Sequence, residues 1–63
     1  MQYKIKEARE ESGMSQAELA EKAKVARSII SGLESGRLKV TTTETLRKIS
    51  EALGKKIDEI FYA

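Results

Sequence analysis

The sequence predicts an all-α fold of five short helices. Three observations predict it. The composition is rich in Ala, Glu, Lys, Leu and Ile and contains no Pro, so helix formers prevail. Apolar residues recur at helical spacing, and strand-like alternation is absent. Residues suited to starting and stopping helices fall where those patterns begin and end.

The elements follow in order. Ile5, Ala8, Arg9 and Ser12 share one face of the first helix, where Arg9 is an odd charged member. The second helix, about Gln16 to Ala23, carries Leu19, Ala20 and Ala23 on one face. Ser15-Gln16-Ala17-Glu18 opens it as a capping box: Ser15 can accept from a free amide and Glu18 can reach back. Ile30 and Leu33 mark the third, about Arg27 to Ser35. Leu46, Ile49, Ala52 and Leu53 mark the fourth, which Thr41 or Thr42 can cap, with Glu44 near the free amides. Ile57, Ile60 and Phe61 mark a short fifth. Gly13, Gly36 and Gly54 each follow the end of a helical pattern, a place that favours a left-handed residue. Gly32 lies inside a pattern and has no such role.

A chain of 63 residues makes one domain at most and buries a marginal core. It has no Cys and no His, so a disulfide and an ordinary zinc site are both closed to it. The same absence removes the thiol nucleophile and the imidazole base. No enzymatic role, no metal and no cofactor are therefore expected. The start, Met1-Gln2-Tyr3-Lys4, runs at once into charged sequence, with no apolar stretch long enough for a signal peptide or a membrane span. Cytoplasm is the expected compartment.

The net charge is only +2, yet it is unevenly placed. Between Lys22 and Lys39 the basic residues are Lys22, Lys24, Arg27, Arg37 and Lys39, and the acid is Glu34, a local charge of +4. Such a patch suits a polyanion, although a solvated charged face would look the same. The spacing of the second and third helices carries more. Only Lys24, Val25 and Ala26 separate them, which forces a sharp turn. Small Ala20 lets the two approach, with Val25, Ile30 and Leu33 packed beneath. The outer face of the third helix then shows Arg27, Ser28, Ser31 and Gly32. A second helix presented in this way fits a DNA major groove.

Gly13-Met14-Ser15-Gln16-Ala17-Glu18-Leu19-Ala20, Val25-Ala26-Arg27-Ser28 and Ile30-Ser31-Gly32-Leu33-Glu34-Ser35-Gly36-Arg37 together resemble the Cro/CI-type (XRE-family) helix-turn-helix. Thr45-Leu46-Arg47-Lys48-Ile49, Ala52-Leu53-Gly54 and Ile57-Asp58-Glu59-Ile60-Phe61 resemble its two closing helices, so the likeness runs from about Ile5 to Phe61. It implies a compact five-helix lambda-repressor-like domain over residues 1–63, with the helix-turn-helix at about 16–35. It also implies sequence-specific binding to a double-stranded DNA operator, usually as a homodimer. Carried over by position, Gln16 would hold a backbone phosphate, which the amides of a helix N-terminus also favour. Arg27, Ser28 and Gly32 would face bases, and Ser35, Arg37 and Lys39 would lie along phosphates. Arg27 suits a bidentate pair with guanine O6 and N7, for roughly 1–3 kcal/mol of discrimination. Arg9 and Glu34 would form an ion pair joining the first and third helices.

The chain departs from the family pattern at several places. Gly32 stands where a longer polar side chain is usual. It allows close approach of the helix backbone to a base or sugar, or simply leaves one contact missing, or relieves crowding. Ile29 stands at a usually polar place, where it could press on a thymine methyl or join the core or a dimer contact. Lys24 replaces the usual turn glycine, at about 1–2 kcal/mol if the turn is left-handed. Ala26 replaces a capping Ser or Thr, and Lys55 and Lys56 leave the start of the fifth helix open. Tyr3, Ile57, Ile60, Phe61 and Tyr62 cluster near the chain ends. Core filling is expected of Ile57, Ile60 and Phe61, and a subunit contact of Tyr62. The functional expectation is a transcriptional repressor or other regulator, acting alone or as the DNA-binding part of a longer protein. The rival is a protein-interaction module that binds a toxin or an anti-repressor through the same fold.

Overall fold

In the computed structural model, which describes residues 2–62 and the side chains of residues 3–61, the helices begin and end on local signals. Among the described residues the order is β1 (Gln2–Tyr3), α1 (Ile5–Glu11), α2 (Gln16–Ala23), α3 (Arg27–Ser35), α4 (Thr43–Leu53), α5 (Ile57–Ile60) and β2 (Phe61–Tyr62). The capping box of α2 is reciprocal: the Glu18 amide donates to Ser15 Oγ at 3.0 Å, and the Ser15 amide donates to Glu18 Oε1 at 2.8 Å. Of the two candidate caps of α4, Thr42 serves, accepting from the Thr45 amide at 3.1 Å. A lysine side chain has no acceptor to offer at the start of α5. There Glu59 makes the other half of a capping box, taking the Lys56 amide at 2.7 Å.

Each helix sends one apolar side chain fully inward: Ile5, Leu19, Ile30, Ile49 and Ile60. Ala8, Ala20, Ala23 and Ala52 lie between them, and their small size lets the helices pack closely. α2 packs on both α3 and α4, while α1 packs on α3. Partly buried Met14, Val25, Ile29 and Leu38 seal the margin. Ser12, expected on the inner face of the first helix, instead caps its C-terminus and is exposed.

Among the described residues the fold is all-α with five helices, as expected, and the chain ends add one short ladder to it. Gln2 pairs with Tyr62 and Tyr3 with Phe61 in an antiparallel ladder, and the Lys4 amide donates to the Ile60 carbonyl at 2.8 Å. Phe61 therefore belongs to β2 and not to the fifth helix. Its ring is half-buried, 5.5 Å from the ring of Tyr3. Two-residue strands are too short to show alternation, so sequence pattern could not reveal them. Ile60 is fully buried and Ile57 only half, which narrows the expected core at this end. The subunit contact expected of the Tyr62 side chain lies outside the described residues. No helix among the described residues is long and apolar enough to cross a membrane.

The turn between α2 and α3 is left-handed at Lys24, with φ of 60°. The Val25 amide closes it on the Ala20 carbonyl at 3.1 Å. A side chain in this conformation is strained against its own backbone. Lys24→Gly is therefore expected to stabilise the chain by about 0.5–1 kcal/mol, the relief being offset partly by the greater freedom of the unfolded glycine. Thermal melting should show a midpoint several degrees higher. An unchanged or lower midpoint would mean that the turn carries no such strain.

Candidate nucleic-acid interface

Three residues of turn hold α3 against α2, and burial then sorts the side chains of α3. Ile30 and Leu33 point inward. Arg27 and Ser28, in its first turn, are exposed, and Ser31 and Ile29 are half-buried. Ile29 packs against the core, so part of it is already committed to folding. Ala26 offers no capping side chain, so the first amides of α3 have no side-chain cap from that residue.

Gly32 departs from its expected base-facing place. It is buried, because the chain after Gly36 doubles back over it. The Leu38 amide donates to the Gly32 carbonyl at 2.9 Å. A Cβ on Gly32 would stand 2.9 Å from Leu38 Cβ, inside contact distance, and 3.3 Å from Arg37 Nη2. Of the readings of Gly32, relief of crowding is the one that this packing supports. The Arg37 guanidinium thus lies across α3, with Nη2 making a long hydrogen bond of 3.5 Å to the Ser28 carbonyl. Ser35 is exposed and stitches this return: its Oγ donates to the Gly32 carbonyl and accepts from the Arg37 amide, each at 3.3 Å. Lys39 is exposed, and its carbonyl accepts from the Tyr3 hydroxyl at 2.9 Å.

Glu34 faces the opposite way and joins three helices. Arg9 Nε donates to Glu34 Oε2 at 2.8 Å and Arg9 Nη2 to Oε1 at 3.1 Å, a bidentate pair. Arg9 Nη1 also donates to the Met14 carbonyl at 2.8 Å. The side chains of Arg9 and Glu34 retain only 12% and 5% of their exposure. Gln16 Nε2 donates to Glu34 Oε1 at 3.1 Å, so a residue expected at a phosphate is already bound to this carboxylate. The amide carries a second N–H that this bond does not use. Burial alone would push the Glu34 carboxyl up. The hydrogen bonds from Arg9 and Gln16, with the charges of Arg9 and Lys6, outweigh it and hold the group below its ordinary value. The hydrogen bond to Glu34 raises Arg9, against the opposing effect of burial.

Lys22, Lys24, Arg27, Arg37 and Lys39 are all exposed, while the acid of that stretch is withdrawn and matched by Arg9. The outer surface is thus more positive than the sequence sum. Arg47, by contrast, lies between Glu44 at 2.6 Å and Glu51 at 3.0 Å, so its charge on α4 is balanced locally. Sequence reasoning missed the Gln16–Glu34 bond and the fold-back of Arg37 and Leu38. The available signal for the fold-back was Gly32 itself, a mid-helix glycine followed six residues later by an apolar residue between two cations.

A short helix held by a tight turn, its outer face cationic and its inner face fused to the core, defines a helix-turn-helix DNA-binding domain. The Helix-turn-helix family model matches residues 5–60, and the chain belongs to that family, in its Cro/CI-type (XRE) form. It is a DNA-binding regulator of the XRE type, with double-stranded DNA as its partner. No curated protein matches the chain significantly.

Proposed function

We propose that the chain is a repressor that docks α3 in the major groove of a palindromic operator as a homodimer. The observation that carries this reading is the exposure of Arg27 and Ser28 at the start of α3, within the stretch from Lys22 to Lys39 whose one acid, Glu34, is neutralised from within. Arg27 supplies the bidentate fork that suits guanine, and Ser28 a less selective hydroxyl. Ser31 and the exposed part of Ile29 line the same groove. Lys39, Ser35 and the second N–H of Gln16 engage phosphates, which position the helix without reading sequence. One protomer measures 25 Å along its longest axis. Successive major-groove faces lie about 34 Å apart, so reading two half-sites takes two copies. Repression follows when such a dimer covers a promoter, within the cytoplasm.

Selection from a random duplex pool at about 0.15 M salt tests the reading. A palindrome with half-sites about one helical turn apart is the expected product. Arg27→Ala should then relax one base position in each half-site, at roughly 1–3 kcal/mol. Lys39→Ala should weaken all sequences alike and lower the salt slope by about 1. If no sequence is enriched and binding disappears with modest added salt, the operator reading fails and a protein partner becomes the function to seek. A sedimentation coefficient that stays monomeric at high concentration, with and without operator, would reject the dimer alone.

A further inference from the structure

We infer that Arg37 reads a base in the groove, standing in for the side chain that position 32 lacks. The inference rests on the DNA reading above and deepens it. Positions 28 and 32 lie one turn apart on the same stripe of α3. Ser28 is exposed on that stripe, and at position 32 there is no side chain. The space where one would begin is closed by Leu38 Cβ, 2.9 Å from a Cβ on Gly32, and by Arg37, whose Nη2 and Cζ would lie 3.3 and 3.6 Å from it. From there the guanidinium reaches back to the Ser28 carbonyl at 3.5 Å. The cation therefore does not trail off the far end of α3. It spans the stripe between positions 28 and 32.

Its backbone is held for this task. Gly36, with φ of 82°, turns the chain back on α3. The Arg37 amide is tied to Ser35 Oγ at 3.3 Å, and the next residue is tied to the Gly32 carbonyl at 2.9 Å. Leu38 packs against the core beside it. A phosphate contact needs only a cation of suitable reach. Here a planar fork with five N–H donors, of which the Ser28 carbonyl takes one at 3.5 Å, lies over a stripe of α3 on a backbone tied to that helix. Guanine O6 and N7 are the acceptors that match such a fork. Gly32 and Arg37 thus act as one unit, the glycine making room for the arginine.

The test is selection from a random duplex pool with the wild type, Arg37→Ala, Arg37→Lys and Lys39→Ala, each checked for an unchanged melting midpoint. Arg37 is exposed, so these variants leave the core intact. The wild-type motif should contain a guanine, distinct from the one lost in Arg27→Ala, whose preference falls at least about tenfold in Arg37→Ala. Arg37→Lys should keep the affinity for duplexes lacking that guanine but lose the preference for it, because an ammonium has no fork. Lys39→Ala should leave the motif unchanged. An Arg37→Ala motif identical to the wild type, with affinity lowered evenly, would overturn the inference and make Arg37 a phosphate contact. A wild type that enriches no sequence would overturn the operator reading itself and this inference with it.

Discussion

Arg9→Met is expected to lower stability by about 3–5 kcal/mol, the usual consequence of removing one member of a buried ion pair. The reason is what the change leaves behind. Glu34 keeps only 5% of its side-chain exposure and would retain the Gln16 amide, at 3.1 Å, as its side-chain donor. A carboxylate so placed must stay charged with too few partners or take up a proton. For a chain of this length the melting midpoint should fall by more than about 10 °C. The double variant Arg9→Met, Glu34→Leu removes both charges and should recover at least half of the loss. Denaturant titration of the wild type, the two single variants and the double variant measures the coupling. A single Arg9→Met variant as stable as the wild type would mean that the pair holds nothing together. The pair also sets an acid limb. Glu34 is held below its ordinary carboxylate value in the fold, so its contribution is complete above that unfolded value, about pH 4.3, and is lost as pH falls through the folded one. Stability measured downward from pH 5 should therefore fall, and Glu34→Gln should flatten that limb.

Gly32→Val is expected to destabilise by about 2–3 kcal/mol through overpacking. Replacing a mid-helix glycine ordinarily helps, by roughly 0.5–1 kcal/mol for alanine. At this position the new Cβ would meet Leu38 Cβ at 2.9 Å. A Cβ cannot swing aside as the end of a long side chain can, so the returning chain itself must move. That movement would break the Leu38 amide bond to the Gly32 carbonyl and shift Arg37 off α3. Gly32→Ala carries the same clash with less bulk and should lose stability where the helix rule predicts a gain. Thermal melting of both variants is the measurement. A higher midpoint for Gly32→Ala would show that the fold-back does not press on α3.

Much of the architecture is legible along the chain because its causes are local. The bounds of α2 and α3 follow from Ser15 with Glu18, from the apolar spacing and from the tight Lys24-Val25-Ala26 break. The left-handed turn at Lys24 is foreseeable because a glycine would ordinarily stand there. The Glu59 bond that starts α5 is less so, since Lys56 gives no capping signal.

What the sequence by itself determined is the helical order, the inward residue of each helix and the cationic run from Lys22 to Lys39. These depend on neighbours within one or two turns. Tertiary structure alone decided the rest. It joined β1 to β2 across nearly the whole chain, taking Phe61 out of the fifth helix. It tied one N–H of the Gln16 amide to Glu34. It buried Gly32 under Leu38 and laid Arg37 across α3. Each of these is a contact between backbone segments whose approach depends on the packing of whole helices. Spacing along the chain carries the period of a face, not the identity of what covers it.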